Sequence, residues 1–76
     1  MAEQKQNKIK EETIGDKIQK ERIRQGLTQM ELAKKAEMPY STVAKLEGNA
    51  ITKPTIQTVI KISKGLEISI DKLINS

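Results

Sequence analysis

The chain contains neither histidine nor cysteine. The first absence removes the usual general base and zinc ligand; the second removes thiolate nucleophiles, thiolate metal sites and disulfides. No clustered carboxylates stand out among its 10 Asp and Glu, so no acid–base pair or metal cage is legible. What remains is ionic and hydrogen-bonding chemistry. Fourteen Lys and Arg leave a formal net charge of +4, which suits a polyanionic partner because each neutralised phosphate releases condensed counterion. One short run gathers an aromatic ring, two hydroxyls and a cation: Tyr40-Ser41-Thr42, followed by Lys45. These groups bind by donating and accepting. The expected class is a binding module rather than an enzyme, with no cofactor and no metal.

Such groups need a scaffold, and composition points to helices. Apolar residues make up 36% of the 76 residues, and Tyr40 is the only aromatic among them. A small all-β domain would show several aromatic and β-branched strands with turns between them. Lys, Glu, Gln, Ile and Leu dominate instead, so an all-α domain is expected. No apolar run approaches bilayer length, and Met1 to Lys8 holds no stretch suited to a signal peptide. A cytoplasmic protein is the corresponding expectation. Residues 1–12 read as a solvated, flexible arm and residues 13–76 as one compact domain.

Five helices are legible. Thr13 with Asp16 forms a capping box for a first helix, Ile14 to about Gln25, with Ile14, Ile18 and Arg22 on one face and Ile23 beside them. Gly26 ends it as a residue able to turn left-handed. Thr28 with Glu31 caps a second helix to about Ala36, whose inner face is Leu32, Ala33 and Ala36. The third spans Pro39 or Tyr40 to Glu47, with Pro39 at or near its first position, Val43 and Leu46 inward, and Gly48-Asn49 as its stop. Thr55 caps a fourth helix carrying Ile56, Val59, Ile60 and Ile62. Ser69 caps a fifth with Ile70, Leu73 and Ile74, its Asp71 in the first turn where the helix dipole favours negative charge.

The run Leu27-Thr28-Gln29-Met30-Glu31-Leu32-Ala33-Lys34-Lys35-Ala36, with Ser41-Thr42-Val43-Ala44-Lys45-Leu46-Glu47, closely resembles the Cro/Xre family of helix-turn-helix proteins. Pro54-Thr55-Ile56 and the segment Ile68 to Ile74 resemble that family's closing helices, so the likeness covers roughly residues 14–74. It implies a five-helix, lambda-repressor-like domain in which helices two and three bind double-stranded DNA. It also implies a transcriptional regulator, repressor-like in acting by occupying an operator. The same fold serves as an antitoxin or other protein-interaction module, so a toxin or other protein partner is the alternative expectation.

The resemblance assigns roles residue by residue. Tyr40, Ser41 and Lys45 match base-reading positions, with Ala44 as an apolar contact to a thymine methyl. Gln29 matches a glutamine that meets DNA backbone and braces the recognition helix; Thr42, Lys53 and the backbone from Asn49 to Thr52 match phosphate-holding positions. Arg22 and Glu47 match a structural ion pair. Alternatives stand beside these. Ser41 and Lys45 could be ordinary solvated residues, and Tyr40 could lie as a lid on the core edge. Lys5, Lys8 and Lys10 could touch DNA backbone, or the arm could be a frayed tail diluted by Glu3, Glu11 and Glu12. Leu73 and Ile74 could join a homodimer or close the core. Two departures are visible: Glu37 and Glu67 stand where the family usually has glycine, and Pro39 replaces its Ser or Thr cap. A left-handed backbone at either glutamate would cost about 1–2 kcal/mol.

Overall fold

The computed structural model of the chain describes residues 12–75. Within them lie five helices and no strand: α1 (Ile14–Arg24), α2 (Gln29–Lys35), α3 (Tyr40–Glu47), α4 (Ile56–Leu66) and α5 (Ile70–Asn75). Most of the expected N-terminal arm, with Lys5, Lys8 and Lys10, lies outside the described residues. The two capping boxes form as expected. Thr13 and Asp16 exchange bonds at the start of α1, and Thr28 and Glu31 do so at the start of α2. Thr55 and Ser69 each accept a backbone N–H three residues on, at 3.2 and 3.0 Å. Pro39 is the N-cap of α3 rather than its first helical residue, and it makes no side-chain capping bond.

Ile18, Leu32, Ala33, Ala36, Val43, Leu46, Ile62, Leu66 and Leu73 form one core to which every helix contributes. α2 and α3 pack on each other, α1 packs on α3 and α5, and α4 packs on α2. Two isoleucines depart from the periodicity reading, and Ile74, for which two readings stood open, faces outward. Ile23 is 60%, Ile56 63% and Ile74 43% exposed. Ile23 lies next to Arg22 in sequence, about 100° further round α1, and that rotation takes it off the buried stripe. Ile56 sits in the first turn of α4, ahead of the buried stripe that begins in earnest at Ile62. Leu73 closes the core and its neighbour Ile74 faces out, so the two do not share a role.

The four longer helices end alike. Each is followed by a left-handed residue, Gly26, Glu37, Asn49 and Glu67, with φ of 75°, 55°, 63° and 59°. The next backbone N–H then reaches back into the last turn: Leu27 to Arg22 O, Met38 to Ala33 O, Ala50 to Lys45 O and Ile68 to Ser63 O, at 2.8–3.0 Å. This is the Schellman closure, and it requires a positive φ whatever the residue. Leu27, Met38 and Ile68, which follow three of these turns, pack against the core. That packing holds the geometry where glycine is absent. The family's turn is thus kept at Glu37 and Glu67 at the cost of backbone strain. At the end of α3, Gly48 is ordinary right-handed backbone and Asn49 takes the left-handed place.

Candidate nucleic-acid interface

α3 is divided lengthwise. Val43, Leu46 and Glu47 are buried, whereas Tyr40, Ser41 and Lys45 are exposed and Thr42 and Ala44 are half-buried. Tyr40, the first residue of the helix, is 48% exposed, which leaves half of its surface free of the core. Ser41 and Lys45 are four residues apart and therefore on one helical face. No side chain caps the N-terminus; the Pro39 carbonyl accepts from Thr42 N at 3.0 Å and from Val43 N at 3.5 Å.

The rear of α3 is held by charge. Arg22 Nε donates to Glu47 Oε2 at 2.7 Å and Arg22 Nη2 to Glu47 Oε1 at 2.9 Å, a two-pronged pair joining α1 to the last residue of α3. Arg22 Nη1 also donates to the Leu27 carbonyl at 2.7 Å, and Gln29 Nε2 donates to Glu47 Oε1 at 3.0 Å. The Glu47 side chain is 1% exposed and that of Arg22 12%. A carboxylate taken out of water this fully survives only because three donors meet it. Hydrogen bonding to Glu47 raises the Arg22 pKa above the ordinary guanidinium value, against the opposing effect of burial. One side-chain amide of Gln29 therefore braces α3 from the first residue of α2.

α1 approaches the end of α3 without an intervening side chain. A Cβ on Gly15 would lie 1.9 Å from the Leu46 carbonyl oxygen. Beside it, Thr13 Oγ1 donates to Asn49 Oδ1 at 2.7 Å, and Asn49 Nδ2 donates to Asp16 Oδ1 at 3.3 Å. The backbone N–H groups of Asn49, Ala50 and Ile51 are already given to Leu46, Lys45 and Lys45 oxygens. Asn49, exposed in the expected phosphate-holding stretch, engages both ends of its amide and its N–H within the protein, which leaves one amide hydrogen for an outside acceptor. Thr52 and Lys53, just beyond, are exposed.

Two features of the site were not singled out in the sequence. Gly15 had one signal, since a glycine inside a helical pattern costs about 1 kcal/mol against alanine and so points to a packing reason. Met30, 58% exposed beside Gln29 in the first turn of α2, had none. Among the described residues no group of three or more metal-capable side chains gathers, and no helix is long and apolar enough to cross a membrane.

A family model described as helix-turn-helix matches residues 18–73. The chain belongs to the helix-turn-helix family. Within that family it is 37% identical over 62 residues to the HTH-type transcriptional regulator SinR of Bacillus licheniformis, covering 82% of this chain and 56% of that protein. The chain thus spans little more than half the length of the curated relatives it matches. Among solved structures, the master regulator for biofilm formation SinR in complex with DNA aligns with a TM-score of 0.75 at 36% identity, covering 80% of this chain and 97% of that one. A chain of the SinR protein/SinI protein complex aligns with a TM-score of 0.76 at 35% identity, over 83% of this chain and 61% of that one. The Cro/Xre-type, all-α, lambda-repressor-like fold expected from the sequence is the fold these helix-turn-helix relatives share.

Proposed function

We propose that this chain is a transcriptional regulator that binds double-stranded DNA sequence-specifically, reading the major groove with α3. The observation that carries the reading is the lengthwise division of α3. One side is clamped to α1 and α2 through Glu47, and the other presents Tyr40, Ser41 and Lys45 to solvent. A recognition helix needs a rigid rear and short polar groups near its N-terminus to meet base edges. In this reading Lys45 takes guanine O6 or N7, Ala44 packs on a thymine methyl, and Thr42, Thr52, Lys53 and the second face of Gln29 meet phosphate. The residues 1–12 arm and the 13–76 domain, cytoplasmic residence, operator occupancy and a binding rather than catalytic role belong to the same proposal. So does a homodimer on half-sites about 34–36 Å apart, for which exposed Ile74 rather than buried Leu73 is the available apolar contact. A protein partner finds support in the SinR protein/SinI protein complex.

Selection of bound duplexes from a random pool, with affinity followed against salt, tests the proposal. A recovered consensus is the expected result; equal retention of all sequences would refute specific reading. Lys45→Ala should relax preference at one base position, and Lys53→Ala should weaken every duplex evenly while reducing the salt slope by about one unit.

A further inference from the structure

Asn49 occupies a place where the backbone alone favours glycine. Its φ is 63°, whereas the neighbouring Gly48, at φ −84°, has right-handed backbone that does not itself call for glycine. An asparagine in the left-handed position is tolerated better than most side chains, but glycine is less strained still. The amide explains the choice. Its oxygen accepts from Thr13 Oγ1 at 2.7 Å and its nitrogen donates to Asp16 Oδ1 at 3.3 Å. Thr13 and Asp16 are themselves locked together by the α1 capping box, Thr13 N to Asp16 Oδ2 at 3.2 Å and Asp16 N to Thr13 Oγ1 at 3.0 Å. The latch is therefore made to a rigid point, the N-terminus of α1, and not to a free side chain. From Asn49 the chain runs only three residues to Thr52, a reach of at most about 10 Å, with Ala50 and Ile51 both tied back to the Lys45 carbonyl.

We propose that Asn49 is a positioning residue that fixes the α3–α4 loop, and with it Thr52 and Lys53, in the pose that meets phosphate. The inference rests on the DNA-binding reading above. Asn49 touches no DNA in this scheme; it acts through the loop it anchors. Without the latch, the cost of ordering the loop exceeds what one exposed phosphate contact returns, so the Lys53 contact is not made. The latch leaves the base-reading face of α3 unaltered, so it governs affinity and not preference.

Asn49→Gly separates this role from a merely structural one, because glycine keeps the left-handed backbone and deletes only the latch. In the DNA-free full chain, amide exchange and backbone relaxation at Thr52 and Lys53 should show a looser loop. On the duplex selected by the unaltered chain, the salt slope should become shallower by about one unit with base preference unchanged. Lys53→Ala should then have no further effect on the slope in the Asn49→Gly background. Thr13→Val, which removes the latch together with the α1 cap, should reproduce the shallower slope, and Thr13→Ser, which keeps the hydroxyl, should retain the wild-type slope. A wild-type slope in Asn49→Gly, or additive effects of Asn49→Gly and Lys53→Ala, would overturn the inference alone. Failure of the unaltered chain to bind any duplex would overturn the DNA-binding reading and the inference together.

Discussion

The two ends of α3 are held in opposite ways. At its C-terminus the buried Glu47 receives Arg22 and Gln29, Gly15 lets α1 come into backbone contact, and Asn49 is latched to Thr13 and Asp16. At its N-terminus Pro39 offers no side-chain cap, and the turn before it runs through a strained Glu37 at φ 55°. Yet the N-terminal end carries Tyr40 and Ser41, the residues assigned to bases. The helix is thus aimed from behind. Rigidity is concentrated at the end beside the proposed phosphate contacts, and the end proposed to meet bases has no side-chain cap.

The largest effect should come from breaking the rear anchor. Arg22→Ala leaves the buried Glu47 without its counter-charge, with only Gln29 still donating to it, and should destabilise the domain by about 3–5 kcal/mol in denaturant titration. A loss below about 1 kcal/mol would show that apolar packing of Val43 and Leu46 alone sets α3. Next in size, Gly15→Ala places a Cβ against the Leu46 carbonyl and should cost about 1–3 kcal/mol as α1 is forced away; an unchanged unfolding midpoint would mean that the seam yields freely. At the opposite end, Glu37→Gly should raise stability by about 1–2 kcal/mol by relieving the left-handed backbone, seen as a rise of roughly 4–8 °C in Tm per kcal/mol. No gain would place the strain of this turn elsewhere.

The smallest effect is expected at a charged pair away from α3. Arg24 and Gln25 donate to Glu21, and hydrogen bonding to Arg24, then to Gln25, holds its carboxyl at about 2, below the ordinary 4.5. A depressed carboxyl contributes stability that is present above pH about 4.5 and lost as pH falls through about 2. The contribution is small because Arg24 is largely in water, where ion pairs are screened. Glu21→Gln should flatten the acid limb of the stability curve over that window, and an unaltered limb would assign the acid sensitivity to other carboxylates.

Much of this was legible in local patterns. The capping boxes at Thr13 and Thr28 depend on residues three apart, and the buried stripe Leu32, Ala33, Ala36, Val43, Leu46 follows from helical spacing. The periodic signal failed at Ile23 and Ile56, because it reports which residues share a face and not how wide the covered face is. Gly48 illustrates the same limit: helix punctuation was visible, but which of two adjacent residues would turn left-handed depended on register. The contacts around Asn49 lie 33 and 36 residues apart in sequence, and no local rule reaches that far.

By itself, then, the sequence determined the class of chemistry, the five helices and their caps, because composition, short-range hydrogen bonds and spacing are properties of neighbours. It also marked Tyr40, Ser41 and Lys45 as an outward face. Only the tertiary structure decided that Gln29 would join Arg22 on Glu47, that Asn49 would bond to the start of α1, and that Glu37 and Glu67 would bear left-handed backbone. Those outcomes depend on which distant groups are desolvated together. In such a setting a buried carboxylate or a strained turn is stable only if packing elsewhere outweighs its cost.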